Sequence, residues 1–388
     1  MKTKLIRTST VPISLSILLN GQLAFLNKWF FVIGVSSPKA ELSIVEQREG
    51  IETKGIEIKR NISPFNDLVA LWHLYLYFRK EKPLIVHSIT PKAGLLSMLA
   101  ARLANVPIRM HTFTGLIFPY KKGFFQKLLI IMDKILCKCA TNINPEGNGV
   151  KNDLLKYKIT NKPLMVLGNG NVNGIDTSYF DPSLFDEANK EKLRNELNIK
   201  KNDFVFIFVG RLVTDKGINE LIKAFKEVNS KFSQTKLLLV GPFETDLDPL
   251  KEDTIKEIKS NPNIITTGFQ NDVRPYFIIS DAFVFPSYRE GFPNVVMQAG
   301  AMGLPAIVTD INGSNEIIIE GVNGTIIPSK DDISLVQKMI LFISDKDLLI
   351  KLKSKAREMI KSRYEQQMVW NALLTEYQTL EKEYKENV

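Results

Sequence analysis

Apolar runs of three to seven residues alternate with longer amphipathic stretches along most of this 388-residue chain. In the first half the runs fall at 5–8, 29–35, 84–87, 108–113 and 142–144. In the second they fall at 204–209, 236–240, 264–267, 282–285 and 306–309. Runs this short, with little polar alternation inside them, read as strands buried on both faces. Most are separated by segments of ten or more residues with apolar positions at helical spacing. Strand and helix in turn predict an α/β protein with parallel, doubly wound sheets. Ten strands in two groups of five predict two such sheets. The chain turns irregular near 174–186, so the expected domains are 1–176 and 177–365, followed by a C-terminal helix in 366–388. That helix has no strand to return to. It is expected to cross the domain junction or to pack back on the first domain.

The N-terminus admits two readings. Lys2, Lys4 and Arg7 precede the apolar run 11–19, as in a secretory leader. Pro12, Ser14 and Ser16 interrupt that run. A strand at 5–8, a helix at 14–27 and a strand at 29–35 fit better. No stretch of 18 apolar residues is free of charges or polar clusters, so no membrane-spanning helix is expected.

The 44% hydrophobic and 24% charged residues are globular proportions. Two cysteines, Cys137 and Cys139, and three histidines exclude a disulfide framework and a zinc centre of the usual ligands. No metal site is expected. Charge changes the picture more. Residues 1–176 hold 24 Lys/Arg against 11 Asp/Glu, and the remainder is net negative by four. A basic first half points to an anionic partner, with plain solubility charge as the alternative. Within it, Phe124, Phe125, Leu128, Leu129, Met132, Ile135 and Leu136 fall at helical spacing among Lys121, Lys122, Lys127, Lys134 and Lys138. Such a helix, at 120–140, either lies on an anionic membrane surface or is a core helix with a solvated face. Aromatic and basic residues interleave only over 120–138, so nucleic acid is not an expected partner.

Candidate chemistry sits at strand ends. The run 204–209 ends in Gly210, and Arg211 and Lys216 stand on the loop before the next helix. Two cations beyond a strand end suit a diphosphate. The run 282–285 is followed by Glu290, Gly291, Phe292 and Pro293. Pro293 is expected as the first residue of a helix, leaving the amides of Asn294, Val295 and Val296 to hold an anion. A carboxylate beside such a pocket suits sugar hydroxyls, so Glu290 is placed there. Asp246 and Asp248 form an Asp-x-Asp pair in an acidic loop, expected to be solvated. Gly168 through Gly174 misses a dinucleotide fingerprint by one residue.

Gly210-Arg211-Leu212 with Lys216-Gly217, Val240-Gly241-Pro242, Pro286-Ser287, Glu290-Gly291-Phe292 and the stretch 306–310 with Gly313 and Glu316 resemble the retaining glycosyltransferases of family 4. The resemblance implies the GT-B fold, two Rossmann-like domains facing a cleft. It implies a hexosyltransferase-type enzyme that takes a nucleotide sugar, most plausibly a uridine diphosphate sugar, and retains configuration. It also implies a lipid-linked saccharide acceptor in capsule or other cell-surface polysaccharide assembly, and a cytoplasmic location at the inner face of the plasma membrane. Arg211 and Lys216 would hold the diphosphate, with Glu290 at the donor sugar. A second family Glu, at the nucleotide ribose, is Gln298 here. Gly210, Gly241, Phe269, Gly291, Phe292 and Pro293 complete the expected donor side. Thr10, Lys92, His111 and Thr114 are the acceptor-side candidates. Many relatives carry a His where Thr114 stands, and His111, three residues earlier, is the catalytic candidate in its place. No cofactor or metal is implied. A nucleotide-sugar epimerase on the same fold and a non-catalytic membrane-binding protein are the rival readings.

Overall fold

The computed structural model describes residues 2–244 and 248–387. The chain forms two compact units: the residues up to Gly174 together with those from Gln366 onward, and Ile175–Glu365.

In the first unit β1 (Lys4–Thr8), β2 (Phe31–Ser36), β3 (Glu52–Gly55), β4 (Ile85–Ser88), β5 (Ile108–Phe113) and β6 (Asn142–Pro145) make one parallel sheet. Its order is β3-β2-β1-β4-β5-β6. The N-terminal run is its central strand: Leu5 pairs with Val32 on one side and Ile85 on the other. The helix expected over 14–27 is two, Pro12–Leu18 and Gln22–Asn27. Gly21 breaks it with φ of 76°, and a Cβ there would lie 2.8 Å from the Trp370 indole. Trp370 belongs to the helix Gln366–Glu386, which closes this unit. Its Leu373 and Tyr377 share a core with Leu5 and Phe30. The buried Arg7 donates to the Tyr377 hydroxyl at 2.6 Å.

In the second unit β7 (Phe204–Val209), β8 (Thr235–Val240), β9 (Ile264–Gly268), β10 (Ala282–Phe285), β11 (Ala306–Thr309) and β12 (Gly324–Ile327) run parallel in the order β12-β11-β10-β7-β8-β9. Phe206, Phe208, Phe283 and Phe285 fill the middle of the core. Among the described residues the sheets therefore hold twelve strands, two more than the apolar runs predict. The two additions, β3 and β12, are edge strands. β3 is mostly exposed and carries no apolar run, so nothing in its composition announced it.

Each sheet reverses its order once. β1 has β2 on one side and β4 on the other, and β7 has β8 and β10. In open parallel sheets ligands bind beyond the carboxyl ends of strands at such a reversal, because the two connecting loops part there. Among the described residues no helix is long and apolar enough to cross a membrane.

Candidate functional site

At the second unit's reversal the loop after β7 meets the loop after β10. Gly217 ends the short turn Thr214–Lys216 with φ of 72° and starts the helix Ile218–Lys231. A Cβ on it would lie 2.0 Å from the Pro286 carbonyl oxygen, so only glycine lets the loops close this far. Gly241 does the same after β8: its Cβ would meet the Gly210 carbonyl oxygen at 1.9 Å. Across the β7/β10 contact the Tyr288 amide donates to the Asp215 carbonyl at 2.9 Å. Arg289 pairs with the Asp215 carboxylate at 2.9 Å. The Asp215 amide in turn donates to the Asp248 carboxylate at 2.6 Å.

This framework brings together two residues 74 positions apart. Lys216 Nζ donates to Glu290 Oε1 in an ion pair whose side chains are only 18% and 16% exposed. The Ser287 hydroxyl donates to the same oxygen at 2.8 Å. The Lys216 ammonium also stands 5.6 Å from the centre of the Phe285 ring. Such a pair holds both side chains in one place and leaves an ammonium and a carboxylate side by side at the loop tips. Arg211 reaches outward and pairs with Glu244, with its own side chain half exposed. Sequence reasoning missed Glu244 and Asp215, and named Ser287 as a motif residue without assigning it a role. Asp215 stood beside known motif residues. The partners of Glu244 and Asp215 come from distant loops, which no local pattern reveals.

The helix after β10 is Asn294–Ala301, with Pro293 as its cap and not its first residue. The Val296 amide already donates to the Pro293 carbonyl at 3.1 Å, so it drops out of the expected anion cradle. Gly291 and Phe292 Cα lie against Gly313, where a Cβ would sit 2.5 Å from the Gly291 carbonyl oxygen. Phe292 is buried edge-on against Tyr364, with ring centres 5.4 Å apart. Gln298 stands one turn after Asn294 and is half-buried. Phe269 is exposed at the end of β9.

The first unit's reversal is chemically different. The Thr10 hydroxyl lies 2.8 Å from that of Thr90, and the Thr10 amide donates to Thr90 Oγ1 at 2.9 Å. Thr90 caps the helix Pro91–Leu103. Two residues on, Lys92 pairs with Asp67 at 2.6 Å. The Thr114 hydroxyl donates to the Ile89 carbonyl at 3.0 Å. His111 does not join this group at the surface. Its ring is 1% exposed, lies over Gly94, where a Cβ would be 2.4 Å from His111 Cε1, and shares a 2.7 Å hydrogen bond with Ser88. Burial pushes its pKa down to about 3, so the imidazole is neutral at neutral pH. The expected contact of His111 with a substrate therefore gives way to a supporting position beneath the loop.

The basic helix is Gly123–Cys139. Its end packs into the core through Leu136, Cys137 and Cys139, while Phe124 is 82% exposed beside Lys121 and Lys122. One end of the helix is thus core, and the other is solvent-exposed. Among the described residues no three His, Cys, Asp or Glu side chains are grouped as metal ligands. Asp246 lies outside the described residues, and Asp248 is engaged with backbone.

Comparison with known proteins gives two family models. "Glycosyltransferase Family 4" matches residues 31–177 and "Glycosyl transferases group 1" matches residues 189–359. A Staphylococcus aureus capsular polysaccharide biosynthesis glycosyltransferase, CapM, is 35% identical over 96% of this chain and 97% of its own. An Escherichia coli UDP-Gal:α-D-GlcNAc-diphosphoundecaprenol α-1,3-galactosyltransferase is 32% identical over 76% of this chain and 75% of its own. Among solved structures, a Rickettsia africae glycosyltransferase superposes with a TM-score of 0.80 at 21% identity, covering 98% of this chain and 99% of that one. Anabaena HepE in complex with UDP does so with 0.80 at 16%, covering 98% and 100%. These structural likenesses speak to the GT-B fold.

Proposed function

Because the chain belongs to the family 4 glycosyltransferases, we propose that it moves a sugar from a uridine diphosphate donor to a lipid-linked saccharide in cell-surface polysaccharide assembly, with retention of configuration. The observation that carries this reading is the Lys216–Glu290 pair at the β7/β10 reversal. A cation and a carboxylate fixed side by side suit a ligand with a diphosphate next to a polyol. Lys216, joined by Arg211 once it leaves Glu244, takes the diphosphate. Glu290 accepts from donor-sugar hydroxyls. The amides of Asn294 and Val295 add to the cradle. Gln298, four residues into the helix and so about 6 Å along its axis, reaches toward the ribose.

As the bond from the anomeric carbon to the diphosphate breaks, negative charge grows on the leaving oxygen. Lys216, already fixed at the loop tips, meets that charge without reorganising, which is where fixed dipoles and cations lower a barrier most, and Arg211 adds its charge after it leaves Glu244. The acceptor hydroxyl attacks the same carbon on the face the diphosphate leaves, which keeps the configuration, and gives its proton to the departing diphosphate oxygen. These cations supply the charge that a metal would otherwise provide, so transfer is expected to survive excess chelator.

The curated relatives named for a diphosphoundecaprenol acceptor support the lipid-linked part of the reading. So do the first unit's basic charge and the exposed Phe124 among lysines. Both support an enzyme held peripherally at the inner face of the plasma membrane. Vesicle binding should weaken with salt, and should drop when Lys121, Lys122 and Lys127 become Glu. The function itself is tested by incubating the protein with a panel of nucleotide sugars, with and without lipid-linked saccharides. The reading requires sugar transfer that depends on both. Conversion of a donor without any acceptor would favour an epimerase instead.

A further inference from the structure

Beside the first unit's reversal lies a pocket of about 410 Å³, within the usual range for ligand sites. Its walls are apolar: Ile62, Leu95, Phe113, Leu116, Leu129 and Met132 line it. Its edge is basic. Lys92 is paired with Asp67, whereas Arg60 is exposed and has no acidic partner among the described residues. Thr90, Pro91 and Lys92 are consecutive, so the threonine pair at the reversal and the pocket edge are two residues apart. Two helices that contribute to or adjoin this region leave apolar side chains in solvent. Phe65, Leu68 and Trp72 form a stripe on Pro64–Glu81, and Phe124 and Ile131 are exposed on Gly123–Cys139.

An apolar pocket with a cationic edge, next to a cluster of hydroxyls, has the polarity order of one molecule: hydrocarbon, then phosphate, then sugar. Building on the lipid-linked acceptor proposed above, we propose that this pocket holds the hydrocarbon chain of that acceptor. Lys92 and Arg60 take the phosphate that joins chain to saccharide, and the Thr10–Thr90 loops face the sugar. Charge complementarity favours this occupant over a neutral lipid, since Arg60 and Lys92 join the apolar lining and Arg60 has no acidic partner among the described residues. The only carboxyl in the pocket lining, Asp133, is pushed up to about 7 by burial, so much of it is uncharged near neutral pH and compatible with a hydrocarbon guest.

The test uses the full chain and a geranylgeranyl monophosphate carrying a photoactivatable diazirine on its chain. Cross-links are expected within residues 60–62, 91–95 and 113–133, displaced by unlabelled geranylgeranyl monophosphate. Inorganic phosphate, geranylgeraniol and phosphatidylglycerol are each expected to displace the probe at least about tenfold less well. Cross-links confined to other segments, or equal displacement by phosphatidylglycerol, would overturn the proposal. Leu129→Trp fills the pocket and should weaken probe binding by at least about tenfold. Because the cross-link needs no nucleotide sugar, an enzyme that captures the probe here but transfers no sugar would count against the proposed function and leave the pocket standing.

Discussion

The two sheets are built on the same plan, yet their reversals carry opposite chemistry. At β7/β10 the loop tips hold two ion pairs, Lys216–Glu290 and Arg289–Asp215, with Arg211–Glu244 beside them between the β7 and β8 loops. At β1/β4 they hold two threonine hydroxyls in contact, with a neutral, buried histidine behind them. Under the proposed function the difference teaches where the reaction's charge would be handled. A departing diphosphate needs fixed cations, which the second unit would supply. An attacking saccharide needs hydroxyl partners and a place for what it is attached to, for which the first unit offers threonines and an apolar pocket. All three histidines of the chain fall in the first unit, and none of the charge machinery depends on them.

The sharpest way to break this contrast is to remove the second unit's pair. Lys216→Ala should lower turnover by ~10²-fold or more, since it deletes charge stabilisation that grows in the transition state. Glu290→Gln should damage turnover severely as well, through the sugar contact. Steady-state kinetics with the preferred donor checks both, and full activity in either variant would refute its role. Next in size is Lys92→Ala. It should raise KM for a lipid-linked acceptor about tenfold, the usual weight of a charged hydrogen bond, with donor KM unchanged. A change confined to the donor would reverse the assignment of the two units. Gln298→Ala is expected to raise donor KM about fivefold with a smaller effect on kcat. Gln298→Glu should be tolerated.

The smallest effect is on stability. Burial raises the Asp133 pKa from 3.8 to about 7. The unfolded chain therefore loses this proton first as pH rises. Its stabilising contribution is complete below about pH 4, falls as pH climbs to about 7, and is flat beyond. Asp133→Asn should match the wild type in melting temperature near pH 4 and exceed it by a few degrees at pH 8. Thermal melts across that range would show a constant difference if Asp133 were solvated. The neighbouring Cys137 thiol, pushed up to about 12 mainly by burial, stays protonated throughout and does not confuse the comparison.

How much of this was legible in the sequence follows the same division. Central strands such as β7 are apolar on both faces and announce themselves. Edge strands are not, and β3, Glu52–Gly55, has the composition of a loop. On the donor side the readable signals are local: a glycine at a strand end, cations after it, a carboxylate before a helix. What stays hidden is pairing at a distance, such as Lys216 with Glu290 or Arg211 with Glu244. On the acceptor side even local signals mislead. His111 sits in a plausible loop motif, but only the structure reveals Gly94 beneath its ring and the loss of its exposure. Helical periodicity over 123–139 likewise could not say that Leu136 faces core while Phe124 faces solvent.

Calorimetric titration with UDP tests most directly whether the β7/β10 reversal is the diphosphate site. Wild type and Lys92→Ala should bind UDP equally. Lys216→Ala should bind it about tenfold more weakly or worse, as expected for losing a charged partner to phosphate. Equal UDP affinity in wild type and Lys216→Ala, or a loss confined to Lys92→Ala, would contradict it.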